Sequence, residues 1–220
     1  MKPNSLPTET IEKFPALQEK YEIHNYGSAI EILTQAYPQE WDEICHLLND
    51  FVIYESEIIK GGGNESDIPK KIANFLTPRQ WQETKLSADL VVRQKKRNSK
   101  EEEQFIIKDY MVGYNIDHLK NKVAFDVEWN SKDQTFDRDL SAFRAFHENG
   151  IISCGIILTR SVELNDIFHD LEIMKKYGAS TTQMGKLLPR VKARRQGGCP
   201  LLIIGIKSPC VIRASDVDNS

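Results

Sequence analysis

The sequence predicts an α/β domain, a mixed central β-sheet flanked by helices. Three observations predict it. "IISCGIILT" (151–159) and "PLLIIGI" (200–206) are unbroken apolar runs, as expected of strands buried on both faces. Residues 106–118 and 122–129 read as two strands around a short turn at Lys120-Asn121. Around these runs apolar residues recur at helical spacing.

Taken in order, residues 1–26 are polar and proline-punctuated and read as a loosely tied arm. Residues 27–220 read as a single domain with its core at about 105–207. Ala29, Ile32, Leu33 and Ala36 mark one helix, and after Pro38 a second carries Trp41, Ile44, Cys45 and Leu48. "KGGGNESDIPKK" (60–71) is a glycine-rich loop running into a short helix. A triple glycine can cradle phosphate, but without the strand–loop–helix setting and a GK[ST] ending it reads as a connector. "QKKRNSKEEEQ" (94–104) reads as a charged surface loop. "TFDRDLSAFRAFHENG" (135–150) is a helix with Phe136, Leu140, Phe143 and Phe146 or His147 on its apolar face, stopping at Asn149-Gly150. Leu164, Ile167, Phe168 and Leu171 mark another helix, so the second half runs β-β-α-β-α-β.

Composition narrows the function classes. The chain has 220 residues, 40% hydrophobic and 28% charged, which suits a soluble globular protein. No stretch approaches the ~18 apolar residues of a membrane span. The N-terminus lacks the apolar region of a secretory signal, so a cytoplasmic protein is expected. Four cysteines lie far apart without zinc-site spacing, and reduced thiols are expected. A net charge of -3 neither announces nor excludes a nucleic-acid partner.

The strand "KVAFDVEW" (122–129) raises the functional question, because two acids interrupt an apolar run. Side chains alternate along a strand. Val123, Phe125, Val127 and Trp129 therefore face one way, while Ala124, Asp126, Glu128 and Asn130 face the other. The two acids stand ~7 Å apart on one face. With a turn at Lys120-Asn121, Leu119 pairs with Lys122 and Asp117 with Ala124, which sets Asp117 diagonally beside Asp126. A one-residue slip would send Asp117 to the opposite face. Acids so close repel each other and resist burial unless a divalent cation sits among them, and oxygen ligands suit Mg2+. The plain alternative is a solvated sheet face with Asp117 nearby by coincidence.

This pattern resembles the PD-(D/E)xK nuclease signature, reading Ile116-Asp117 and then Asp126-Val127-Glu128. The usual final lysine is replaced by glutamate, as in BamHI-like enzymes. "KNKVAFDVEW", "GIISCGIILTR", "RRQGGCPLLIIGI" and "KGGGNESDIPKKIANFLTPRQW" are similar to stretches of the BglII/BstYI restriction endonuclease family. That family has glutamate where this chain has Asp126 and glutamine where it has Glu128. Both replacements keep an oxygen ligand, but the way water is activated then needs separate support.

The resemblance implies a restriction-endonuclease-like core. It also implies a type II, Mg2+-dependent hydrolase of a restriction-modification system, a homodimer cutting palindromic double-stranded DNA, with a GATC-centred site suggested. In the reading it implies, Asp117 and Asp126 ligate the ion with the carbonyl of Val127, and Glu128 polarises the attacking water. Lys120, Lys122 and Lys132 are alternatives for the missing lysine. Glu83 is a further candidate, or an ordinary surface glutamate. "KLLPRVKARRQGG" (186–198) supplies Arg190, Lys192, Arg194 and Arg195 for DNA, or is a solvated basic loop. Arg138 and Arg144 could reach the DNA backbone or pair with Asp137 or Asp139. Competing readings are a structure-specific repair nuclease on the same core, a non-catalytic DNA-binding protein, and a carboxylate-pair glycosidase, for which the chain shows no aromatic sugar platform near the acids.

Overall fold

The computed structural model describes residues 6–60, 66–98 and 100–217. The chain opens with α1 (Thr8–Lys13) and α2 (Ala16–Lys20), then β1 (Tyr21–Tyr26), α3 (Ala29–Ala36) and α4 (Pro38–Asp50). A short β2 (Ile53–Tyr54), α5 (Glu55–Ile59) and α6 (Asp67–Leu76) follow. Next come β3 (Gln82–Lys95), β4 (Glu102–Lys120), β5 (Val123–Glu128) and α7 (Thr135–Glu148). The chain closes with β6 (Cys154–Arg160), α8 (Leu164–Asp170), α9 (Met184–Lys192), β7 (Leu201–Ile206), β8 (Val211–Ile212) and α10 (Ala214–Val217).

Six strands form one mixed sheet in the order β1-β7-β6-β5-β4-β3. β5, β6 and β7 are parallel, and the flanking pairs are antiparallel. The parallel strands are buried along their whole length, which accounts for their unbroken apolar sequence. Helices cover both faces. Val123, Phe125, Cys154, Ile156, Leu202 and Ile204 pack against α3, α4 and α6. Ala124, Ile157, Leu201 and Ile203 pack against α7 and α9. Gly155 lets α7 approach the sheet, because a Cβ there would lie 2.3 Å from the Phe143 ring. All four cysteines are free and buried.

Three expectations change. Residues 21–26 of the expected arm are β1, paired along its whole length with β7, and Leu6, Phe14 and Leu17 ahead of it are buried. The apolar residues of that polar stretch are widely spaced and need the sheet to reveal their common side. The loop expected over 94–104 is shorter than the sequence suggests: β3 runs to Lys95 and β4 starts at Glu102, so both ends of the stretch are strand. Its charges sit at the end of a long two-stranded ribbon, where strand side chains meet water on every side. The basic stretch 186–198 is helical up to Lys192, the end of α9, while Arg194 and Arg195 lie in the turn that follows. The glycine run 61–63 lies outside the described residues.

Beyond its base the β3–β4 ribbon leaves the helical layers. Val91, Phe105, Ile106, Ile107, Tyr110 and Val112 are exposed along it. Val91 pairs with Ile106 on one face, and Leu90 with Ile107 and Val92 with Phe105 on the other. The ribbon is therefore apolar on both sides.

Arg160 closes the other end of the sheet. It is 0% exposed. It donates to Asn165 Oδ1 at 2.7 Å, Thr181 Oγ1 at 2.7 Å and the Tyr177 carbonyl at 3.3 Å. Its guanidinium also lies near the stacked rings of Phe168 and Tyr177. The Thr181 loop it holds is bridged to Lys132 and bonded to Ser131 and Asp133, immediately after β5. Burial pulls its pKa down to about 10.

Candidate active site

The hairpin turn decides where the acids stand. Lys120 pairs with Val123, Leu119 with Ala124 and His118 with Phe125. The turn is therefore Asn121-Lys122, one residue later than the sequence suggests, and Asp117 does not pair with Ala124. The physical reason lies in Asn121, whose φ is 50°, a left-handed conformation that asparagine accepts more readily than lysine. The same parity is kept. Continued one step, this register sets Asp117 directly across from Asp126 rather than diagonal to it.

At that point the backbone ladder gives way. The Asp117 N–H donates to Asp126 Oδ1 at 2.8 Å instead of to a carbonyl. On the other side of β4, Gln82 pairs with Leu119 but Thr84 with Ile116, so β4 carries one extra residue, a bulge around Asp117 and His118. Bulges bend a strand and re-aim a side chain. Both Ile116 and Leu119 consequently pack into the core on the α7 side. Asp117 itself stays exposed.

Asp126 is 3% and Glu128 5% exposed on the face that meets α7. From that helix Asp139, also buried, meets Glu128 side chain to side chain. Arg138 Nη2 lies 3.0 Å from Asp139 Oδ1 and 3.8 Å from Glu128 Oε1. Glu128 Oε2 and Asp139 Oδ2 are buried without a hydrogen-bond partner. Burial, then repulsion from Asp117 and Asp139, pushes the Asp126 pKa well up. Burial and the Asp139 charge push Glu128 up to about 8. Burial raises Asp139 to about 6 against the pull of Arg138. Asp117 is raised by desolvation, with Arg138 opposing and Glu83 adding to it.

The remaining candidates separate. Glu83 is exposed, 3.8 Å from Lys85 and close enough to Asp117 to repel it. Lys120 points away from the acids, into a buried pair with Glu43 of α4 at 2.6 Å, and Trp81 Nε1 bonds the same carboxylate. Lys122 is exposed in the turn, and Lys132 joins the bridge to Thr181. Arg190 is held by Asp133 and Asp137, and Arg195 by Asp137. Arg144 pairs with Glu148 rather than with Asp137 or Asp139. Lys192 and Arg194 border a cleft of about 390 Å³ with Tyr26 and Gln196. Asp139 was absent from the sequence-derived candidates. Its signal was legible: it lies three residues after Phe136 and four before Phe143, an acid inside a helix's apolar stripe.

The family model for BglII/BglIII restriction endonucleases matches residues 21–206. The chain belongs to this family. It is a type II restriction endonuclease, a hydrolase acting on double-stranded DNA. No curated protein comes close enough in sequence to add a second comparison. The match begins at the first residue of β1 and ends at the last of β7, so it spans the whole six-stranded sheet. No helix among the described residues is long and apolar enough to cross a membrane.

BglII-like endonucleases generally use divalent metal ions. The acidic cluster of this BglII-family chain fits such an ion in its chemistry. It offers hard oxygen donors, two of them buried and unpartnered, and Arg138 is the cation that lies against them. It is not a finished cage, because among the described residues no three His, Cys, Asp or Glu side chains are already grouped to hold one.

The raised carboxyl pKa values give the protein a stability signature. A group whose folded pKa lies above its unfolded value stabilises fully below the unfolded value, and that contribution is lost as pH rises through the folded one. His118 acts in the opposite sense, but burial pushes it down to about 4, so its contribution is mostly complete by pH ~6.5 and ends about a unit higher. Glu128, at about 8, and Asp126 then dominate. The metal-free melting temperature should fall between pH 6.5 and 8.5, and Mg2+ should raise it more at the upper end. Calorimetry in chelator at both pH values checks this, and a flat or rising melting temperature contradicts it.

Proposed function

We propose that this endonuclease cuts palindromic DNA as a Mg2+-dependent homodimer, within a restriction-modification system, and that Asp117, Asp126 and Glu128 carry the chemistry. The observation that supports this most is the Asp117 N–H bond to the Asp126 carboxylate, which ties the two acids across the hairpin. Asp117 and Asp126, with the carbonyl of Val127, would hold the ion. Bound there, magnesium supplies Lewis acidity to the phosphate and lowers the pKa of a ligated water.

The protein's own residues do the rest. Glu128, two positions along the same face, accepts a hydrogen bond from the attacking water and orients it. Arg138, 66% exposed at its side chain, can reach a phosphate while its guanidinium stays beside Glu128. Glu83 approaches Asp117 from β3 and adds a polar group at the open side of the cluster. Lys192 and Arg194 are the stronger candidates for gripping DNA. Arg190, Arg195 and Arg144 would have to leave their carboxylate partners to do so.

Two copies related by a two-fold axis would match the symmetry of a palindrome, each cutting one strand. Digesting phage DNA with Mg2+ and sequencing the fragment ends tests the reading. Discrete bands with ends at one palindrome, GATC-centred or otherwise, are expected. Uncut DNA, or nicking that follows DNA structure rather than sequence, would overturn it.

A further inference from the structure

Asp139 is a carboxylate placed where α7 should carry an apolar residue, 3% exposed between Phe136, Leu140 and Phe143. Burying an ionisable group is costly unless it is bonded and paired. Its pairing is unusual. Arg138 donates from Nε at 3.2 Å and from Nη2 at 3.0 Å to the same Asp139 Oδ1. Consecutive residues on a helix do not face each other. Arg138 must therefore fold back along α7 to reach its neighbour. That fold brings Nη2 to within 3.8 Å of Glu128 Oε1, with Asp117 also within electrostatic reach.

We propose that Asp139 is a positioning residue for DNA cleavage: it anchors the Arg138 guanidinium over the acidic cluster, ready for the phosphate that is cut. This rests on the nuclease reading above. The anchor has two consequences. It holds an otherwise flexible, largely exposed cation at the edge of the site before DNA arrives, so little ordering remains when substrate binds. It also competes with Glu128 for the guanidinium. Without Asp139, Arg138 would either swing into solvent or close on Glu128, occupying the carboxylate that must accept from water. A planar, forked guanidinium can face Asp139 and a phosphate together, which a lysine ammonium does less well.

The test compares the full-length protein with its Asp139→Ala, Asp139→Asn and Arg138→Ala variants and the Arg138→Ala/Asp139→Asn double variant. Single-turnover cleavage is measured in Mg2+, DNA affinity without metal, and melting temperature for each. Asp139→Ala should slow cleavage on the order of 10–100-fold, the range seen when groups orienting a catalytic shell are removed. DNA affinity should move less than about threefold, as expected of a residue that does not touch phosphate. Asp139→Asn, which keeps an oxygen for Arg138 but not the charge, should lose less. In the Arg138→Ala background, Asp139→Asn should add almost nothing, because the two act as one unit.

Unchanged cleavage by a folded Asp139→Ala overturns the proposal. So does a loss confined to DNA affinity, or losses that multiply in the double variant. If alanine at 139 prevents folding, the double variant against Arg138→Ala alone decides it. Where the unsubstituted protein cuts and Asp139→Ala cuts equally well, only this proposal falls. Where the unsubstituted protein cuts no duplex, it falls together with the nuclease reading.

Discussion

Asp126→Ala should leave DNA cleavage at least on the order of a thousandfold slower while DNA binding survives, as expected when a group stabilising transition-state charge is removed. The residue occupies the point where three constraints meet. It accepts the Asp117 N–H, it faces α7 rather than solvent, and its pKa is pushed up by burial and by three neighbouring acids, Asp117, Asp139 and Glu128. Its bond to the Asp117 N–H helps hold the hairpin, but its burial beside other acids is costly. In the metal-free protein the substitution should raise the melting temperature at pH 8, since a buried charge beside like charges is removed. Metal-free DNA affinity should stay level or rise, because one carboxylate fewer repels the phosphates. Glu128→Ala should show the same division. A single-turnover assay within tenfold of the unsubstituted rate for Asp126→Ala would remove the assignment.

Arg160→Ala should be the most damaging substitution away from the acids, at about 3 kcal/mol or more, because it combines a large cavity with acceptors left unpaired. The guanidinium sits fully buried among Asn165, Thr181, the Tyr177 carbonyl and two stacked rings. Among the described residues it forms no ion pair with a carboxylate. A loss of that size corresponds to roughly 6–12 °C in melting temperature for a chain of this length. Arg160→Met should cost less, since it fills much of the space and removes the buried cation as well. The substitution should also slow cleavage, because the Thr181 loop is zipped to residues 131–133 directly behind Glu128. Equal melting temperatures for Arg160→Ala and the unsubstituted protein would contradict this account.

How legible these features were differs by element, for physical reasons. β6 and β7 stood out because parallel strands covered on both sides keep no polar positions. α7 and its stop at Asn149-Gly150 followed from spacing and a positive φ at Gly150. The alternation along β5 was enough to place Asp126 and Glu128 together. The turn was misplaced by one residue because Lys120 and Lys122 offer no discrimination, and only the conformation of Asn121 does. Parity survived because the misplacement moved the pairing by two positions in total. β1 was missed because its apolar residues are few and its partner, β7, lies far along the chain. β3 was missed because a strand half in solvent has no core face to advertise. The ion pairs that occupy Arg190 and Arg195 involve acids more than 50 residues away, which no local pattern reveals.

The outermost strand of the sheet has a practical corollary. Among the described residues β3 hydrogen-bonds on one flank only, and it and β4 present Val91, Phe105, Ile106 and Ile107 to water. β3 carries positive charge at its outer end in Arg93 and Lys95, and charges on an edge strand discourage another molecule from adding itself as the next strand. Concentrated salt weakens that repulsion while strengthening apolar contact. Purification and storage should accordingly favour dilute, low-salt conditions, in which the ribbon stays dispersed and does not seed precipitation.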